Sequence, residues 1–142
     1  MCVGRNGLDA GDVRRCIAYG MITSDMGLLE IQHVSAPVSV QTLKNAMREQ
    51  VFPEIAPFPI AFIPGVRNFA APVDMENFGM MDMMRGEETE AVGLYDLLGL
   101  KEGAMFVLPG SHNKFVAMSD DGKILSCMTS ISGELLDAMT HH

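Results

Sequence analysis

The chain has 142 residues, a length that suits one domain with a buried core, and 48% of them are hydrophobic. Its 18 acidic residues outnumber its 10 basic residues and give a net charge of −8. This composition excludes a disordered chain, and the negative charge argues against nucleic acid or an anionic membrane surface as a partner.

The N-terminal residues predict a short connection followed by a strand. Residues 6–15 combine turn formers with acidic residues, so we expect a turn and a short helical segment with Asp9 or Asp12 as its N-cap. The apolar run over residues 16–21 predicts a buried strand that empties into a polar loop after Gly20. Functional side chains often lie at such strand ends.

A helix and a second strand follow. Residues 27–34 are expected to continue as an extended segment. Apolar residues recur at helical spacing over residues 39–51, which predicts an amphipathic helix with Ser39 as its N-cap. The apolar run over residues 57–66 predicts another strand, which a Pro-Gly turn closes.

The next helix is predicted over residues 82–98, after an irregular segment. Good helix formers dominate this range. The carboxylates of Glu87, Glu88 and Glu90 would fall in its first turn, where the helix dipole favours negative charge.

Three short strands and the start of a helix are predicted at the C-terminal end. The strands cover residues 105–109, 114–118 and 123–129, and the Asp-Gly pair before the third strand is a strong hairpin signal. A helix begins at residue 132. The whole layout predicts a mixed α/β fold with a domain boundary near residues 100–104.

The first candidate site is the acidic helix start with the arginine before it. A carboxylate of Glu87 or Glu88 can face a cleft, while the planar guanidinium of Arg85 suits a substrate carboxylate or phosphate. The alternative is a solvated first turn with no chemical role.

The second candidate site is the loop over residues 109–114. Its backbone N–H groups and the side chains of Ser111, His112 and Lys114 can hold phosphate, although the loop is not a Walker A motif. A simple hairpin turn is the alternative. Ser111 and His112 are adjacent on an extended segment and therefore do not indicate a nucleophile triad.

The cysteines, methionines and terminal histidines suggest less specific roles. Widely spaced Cys2, Cys16 and Cys127 predict free thiols in a reducing cytoplasm, and no signal or membrane segment is visible. We interpret the 13 methionines as mainly core residues, with adaptable partner surfaces as the alternative. The pair His141-His142 could bind a metal, but is more typical of a truncated end or a tag remnant.

Five sequence blocks carry a resemblance to a known family. In chain order they are GMITS at residues 20–24, IPGV at 63–66, MRGEET at 84–89, LPGSHNK at 108–114 and SGEL at 132–135. Together they resemble the 2-dehydro-3-deoxygalactonokinase family. The sequence departs from the family pattern at Ser132, Asn113 and Phe115, where members commonly have Thr, a small Ser or Cys, and Trp.

The resemblance implies a fold and a reaction. The fold is the RNase H-like α/β fold of the sugar-kinase, actin and Hsp70 superfamily. Residues 1–100 would be the C-terminal part of the first kinase domain, and residues 101–142 the opening β-meander of the second. The reaction is transfer of the ATP γ-phosphate, with Mg²⁺, to the terminal hydroxyl of 2-keto-3-deoxygalactonate. We expect the chain to be an incomplete central portion that is inactive alone.

The resemblance also implies residue roles. Glu87 would be the catalytic base with Glu88 as its alternative, Arg85 would bind the substrate carboxylate, and no residue is assigned to a metal. Further residues would line the substrate side (Gly20, Met21, Ser24) or bind the ATP phosphates (Gly110, Ser111, His112, Lys114).

Two other functions stay open at this point. The first is a non-catalytic binding or assembly chain, whose exposed apolar edges meet the rest of a kinase chain or another copy. The second is a different sugar kinase or a phosphohydrolase of the same superfamily.

Overall fold

A computed structural model describes residue 7, residues 9–69 and residues 72–141. In these ranges three α-helices, α1 (Val40–Ala46), α2 (Glu87–Leu97) and α3 (Ser132–His141), accompany nine strands. Single 3-10 turns occur at Ala10–Asp12, Gly20–Thr23 and Phe78–Met80. The fold is therefore mixed α/β, as the sequence predicts.

The first sheet has the order β1-β4-β3, with β1 (Cys16–Ala18), β3 (Arg48–Gln50) and β4 (Ile60–Phe62). Its central strand β4 is buried at all three positions and pairs parallel with β1 and antiparallel with β3. Ile60 and Phe62 pack with Ile31 in a small core. This sheet places the end of β1 next to the Gly20–Thr23 turn.

The second sheet has the order β2-β5-β6, with β2 (Val34–Ser35), β5 (Val66–Arg67) and β6 (Met83–Met84). Strand β5 lies in the middle, parallel to β2 and antiparallel to β6. Because successive residues of a strand point to opposite faces, the two residues of β5 differ in environment. Val66 lies in the main core, whereas Arg67 is only half-buried.

The third sheet is an antiparallel meander of β7 (Ala104–Leu108), β8 (Asn113–Met118) and β9 (Ile124–Ser130). These strands agree closely with the predicted ones. Burial alternates along β8, so that one of its faces enters the core. Gly122, at a φ of +74°, makes the turn between β8 and β9 that the Asp-Gly pair predicts.

One hydrophobic core joins most of these elements. It contains side chains from α1, α2 and the second and third sheets. Val38, before α1, also pairs with Ile124 of β9 through two backbone hydrogen bonds of 2.9 and 2.8 Å. Residues on both sides of the predicted boundary at 100–104 thus share a core, and the division into two domains remains a prediction.

Several predicted elements are shorter than expected. The first helix has the predicted cap, since Ser39 accepts a hydrogen bond from the Thr42 N–H in a capping box, but it ends at Ala46 and the chain continues as β3. The predicted strand over residues 16–21 is extended only through Ala18. It is not a buried strand, because Ile17 is 51% exposed.

The methionine interpretation is wrong for most of the described methionines. Met84 and Met118 lie in the core, but more methionines are exposed than buried: Met21, Met26, Met75, Met80, Met83, Met105, Met128 and Met139. Cys16 and Cys127 are free thiols as predicted, and burial raises the pKa of Cys127 to about 12. Cys2 and His142 lie outside the described residues. His141 contacts Asp137 of its own helix at 2.9 Å. No described helix is long and apolar enough to span a membrane.

Candidate functional site

Two of the sequence blocks meet where β1 ends and α2 begins. Gly86, the residue before α2, has a φ of +124°, a conformation that glycine adopts far more readily than other residues. A Cβ on Gly86 would stand 3.4 Å from the Cα of Gly20, which itself has a φ of +81°. The two glycines therefore permit a close approach of the two backbones.

Arg85 holds the loop after β1 against the start of α2. Its Nη1 donates to the carbonyl oxygen and the Oγ1 of Thr23 at 2.5 and 2.7 Å, and its Nη2 donates to the Ile31 carbonyl at 3.0 Å. The same Nη2 lies 3.2 Å from Nδ1 of His33. The guanidinium expected to bind a substrate carboxylate is thus largely occupied by the chain itself.

His33 lies close to two arginines. Burial lowers the pKa of its imidazole, and the charges of Arg85 and Arg67 lower it further. A neutral imidazole can accept a hydrogen bond at Nδ1, which suits the position of Arg85. The sequence alone does not predict the position of His33, since a single histidine in an extended segment gives no indication of its neighbours.

The two adjacent glutamates at the start of α2 have different environments. Glu88 is fully buried, and both its carboxylate oxygens accept from the Gly86 N–H at 3.0 and 2.8 Å. Burial raises the pKa of Glu88 to about 7 despite these bonds. Glu87 is half-buried, accepts from the Arg85 N–H at 3.0 Å and lines two cavities.

The larger cavity, here called the central cavity, has a volume of about 870 Å³. It lies between the loop after β1, the second sheet and the edge of the third sheet where β8 begins and β9 ends. The predicted residues Met21, Ser24, Arg85, Glu87, His112 and Lys114 line it, together with Asp25, Glu30, His33, Arg67 and Thr129. The structure therefore brings together residues from Met21 to Thr129 that are far apart in sequence.

A smaller cavity of about 440 Å³, here called the loop cavity, adjoins the loop between β7 and β8. Gly20, Gly86, Gly110 and Ser111 are among its lining residues. Three residues line both cavities, namely Arg85, Glu87 and His112. A carboxylate at Glu87 can consequently contact one molecule in each cavity.

The loop between β7 and β8 rests on the first turn of α3. The Glu134 N–H donates to the Ser111 carbonyl at 2.9 Å, and His112 Nε2 lies 3.5 Å from the Glu134 carboxylate. The Gly110 N–H is occupied by Asn113 Oδ1 at 2.9 Å. Ser111 and His112 remain exposed, so their side chains can still reach a ligand.

Lys114 is not part of an open phosphate loop. It is buried, and its Nζ donates to the Met83 carbonyl at 2.7 Å, pairs with Asp82 Oδ1 at 3.4 Å and contacts Thr129 Oγ1. The alternation along β8 explains this, because Lys114 shares a face with the core residues Val116 and Met118. Its ammonium is already neutralised by Asp82.

The described residues contain no group of three or more His, Cys, Asp or Glu side chains that could hold a metal ion. The metal expected of an ATP-dependent kinase therefore has no assigned ligands in this part of the chain.

Comparison with known proteins identifies the family. Residues 5–142 match the family model described as 2-keto-3-deoxy-galactonokinase. The chain belongs to this family. The match confirms the resemblance carried by the five sequence blocks, and it extends over nearly the whole chain.

Two relatives show how much of a family member the chain covers. DgoK1 of Rhizobium meliloti (strain 1021), described as a 2-dehydro-3-deoxygalactonokinase, is 31% identical over 127 residues, which are 89% of this chain and 37% of that protein. A crystal structure of a Sinorhizobium meliloti protein described in the same way has a similar fold, with a TM-score of 0.76 at 24% identity over 99% of this chain. The aligned region is 42% of that crystallised chain. The chain thus spans about two-fifths of the length of these relatives.

Proposed function

We propose that the chain carries part of the active site of a kinase that transfers the ATP γ-phosphate to the terminal hydroxyl of 2-keto-3-deoxygalactonate. The observation that carries this proposal is the position of Glu87, which lines both the central cavity and the loop cavity. An in-line phosphoryl transfer needs a base beside the acceptor hydroxyl and close to the incoming phosphate. The family match supplies the reaction class.

Glu87 is the proposed base, and Glu88 is the less suitable of the two carboxylates. The Glu88 side chain is fully buried and its oxygens face the Gly86 N–H, so an acceptor hydroxyl has no access to it. The half-buried Glu87 carboxylate can accept the hydroxyl proton as the oxygen attacks phosphorus. Met21 and Ser24 then lie on the acceptor side of the cavity.

The residues of the loop cavity fit the phosphates of ATP in part. Bound ATP would supply the transferred phosphoryl group, and the exposed Ser111 hydroxyl and His112 imidazole are suitable donors toward it. Because Gly110 has no side chain, a phosphate can approach the backbone closely there. Lys114 does not fit this role because Asp82 neutralises it. We assign no residue to Mg²⁺.

The domain assignment belongs to the same proposal. We place residues 1–100 in the first RNase H-like domain and residues 101–142 at the start of the second, in the cytoplasm, with the active site between them. Both cavities support this location of the active site, since each is lined by residues before and after residue 100. The family match gives no added support to a non-catalytic assembly chain or a phosphohydrolase.

The Glu87→Gln variant tests the base assignment in the complete gene product that carries this chain. We expect kcat for phosphorylation of 2-keto-3-deoxygalactonate to fall by about 10²- to 10⁴-fold, because the amide cannot take the proton, while KM changes little. The matched control is Glu102→Gln, an exposed glutamate outside both cavities. Normal turnover of the Glu87→Gln enzyme would show that another group is the base.

A further inference from the structure

Arg67 occupies a fixed position on the wall of the central cavity. It lies on the middle strand of the second sheet, next to Ser35 on β2 and Met83 on β6. Since its neighbour Val66 enters the core, Arg67 projects from the opposite face, where the cavity lies. Its Nε donates to Ser35 Oγ at 3.0 Å, which orients the guanidinium plane.

The outer edge of the Arg67 guanidinium has no protein partner in the part of the chain that the structure describes. Neither Nη atom makes a hydrogen bond there, and no carboxylate pairs with the side chain. Arg85 differs, because both of its Nη atoms donate to oxygens of Thr23 and Ile31. A half-buried guanidinium with two free, parallel donors is suited to bidentate binding of a carboxylate.

The surroundings of Arg67 favour an anion further. Arg85 also lacks a carboxylate partner among the described residues, and the charges of both arginines lower the pKa of His33. Asp25, Glu30 and Glu87 also line the cavity, and none of their carboxylates forms a salt bridge with either guanidinium. Two guanidiniums without a carboxylate partner among the described residues therefore line one cavity, although the chain has a net charge of −8.

We propose that Arg67 binds the carboxylate of the acceptor and so makes the enzyme specific for a sugar acid over a neutral sugar. The inference rests on the proposed function, from which it takes the acceptor. Such an acid carries its carboxylate and its terminal hydroxyl at opposite ends of a six-carbon chain. Arg67 pairs with Met83, which precedes Glu87 by four residues. Arg67 and Glu87 both line the central cavity, so one acceptor molecule bound there can contact both side chains.

Binding of two matched ligands tests the role of Arg67 without turnover. The complete gene product is titrated calorimetrically with 2-keto-3-deoxygalactonate and with its C1 carboxamide, a neutral compound of nearly the same shape. We expect the wild type to bind the carboxylate at least about 10-fold more tightly. Arg67→Gln should bind the acid about 10- to 100-fold more weakly and lose the preference, whereas Arg67→Lys should retain part of it because it keeps the charge but not the fork.

The control is Arg48→Gln, which removes the same charge from an exposed position outside both cavities. It should leave both affinities unchanged, and equal melting temperatures of the three variants and the wild type would show that the fold is intact. A wild type without preference for the carboxylate, or an Arg67→Gln variant that keeps it, would overturn the inference. Absence of saturable binding to the wild type would overturn it as well.

Phosphoryl transfer is measured separately on the same proteins. Carboxylate binding that depends on Arg67, without any transfer from ATP, would contradict the proposed function and leave the Arg67 inference standing. Transfer that persists with an unchanged preference in Arg67→Gln would contradict the inference alone.

Discussion

At the scale of single residues, the start of α2 separates two glutamates that are equivalent in sequence. The Glu87 side chain is accessible to ligands, whereas the Glu88 side chain is fully buried and accepts hydrogen bonds from the Gly86 N–H. Nothing local in the sequence distinguishes them, because the difference comes from the core packed against α2. Lys114 is different, since the alternation of β8 could have indicated that its side chain enters the core.

Glu88 should make stability fall as pH rises. An unfolded Glu88 loses its proton near pH 4.5, but the folded one keeps it until about pH 7, so the folded state binds more protons in between. The stabilising contribution of Glu88 is fully present below about pH 4.5 and is lost as the pH rises to about 7. The free energy of unfolding falls by about 3 kcal/mol in total over this range. Urea unfolding of wild type and Glu88→Gln at several pH values measures it.

We expect the Glu88→Gln variant to gain stability relative to the wild type as pH increases from about 4.5 to about 7. Glu102→Gln, at an exposed site, should follow the wild-type profile. Parallel profiles for all three proteins would mean that burial does not shift the Glu88 pKa.

At the scale of elements, the third sheet was the easiest part to predict. Its strands alternate and an Asp-Gly turn separates β8 from β9, and both features act between near neighbours in sequence. The sequence does not predict the second sheet, because two-residue strands such as β5 exist only through their pairing with distant partners. It therefore does not predict the position of Arg67 either. The first helix was predicted too long, since the capping of its start by Ser39 does not show where it ends.

Gly133 in the first turn of α3 fixes the loop between β7 and β8. A Cβ at this position would overlap the Gly110 carbonyl oxygen and would lie 2.9 Å from the Ser111 carbonyl oxygen. Backbone atoms cannot yield as a flexible side chain can, so Gly133→Ala should destabilise the protein by about 1–3 kcal/mol. Thermal or urea unfolding measures this change.

Gly93→Ala is the matched control. Gly93 lies within α2, and a Cβ there would meet nothing within 4 Å. Because alanine is the better helix former, this substitution should stabilise the protein by up to about 1 kcal/mol. If the two substitutions had the same effect, the close packing of α3 on the loop would be refuted.

At the scale of the whole molecule, the candidate site depends on contacts across the chain. The central cavity combines Met21 from the loop after β1, Arg67 from the second sheet and His112 from the loop of the third sheet. Met21 and His112 belong to the sequence blocks, whereas Arg67 does not, and the family match confirms the family resemblance that the blocks carry. Their separation into two cavities with Glu87 between them depends on the packing of three sheets, which local patterns do not contain.

The most direct test identifies the compound that the complete protein carrying this chain forms from its substrates. This protein is incubated with ATP, Mg²⁺ and 2-keto-3-deoxygalactonate, and the product is examined by ³¹P and ¹H NMR spectroscopy. We expect one new phosphate ester on the terminal hydroxyl, formed in the same amount as ADP. Release of inorganic phosphate without an ester, or an ester at another hydroxyl, would contradict it.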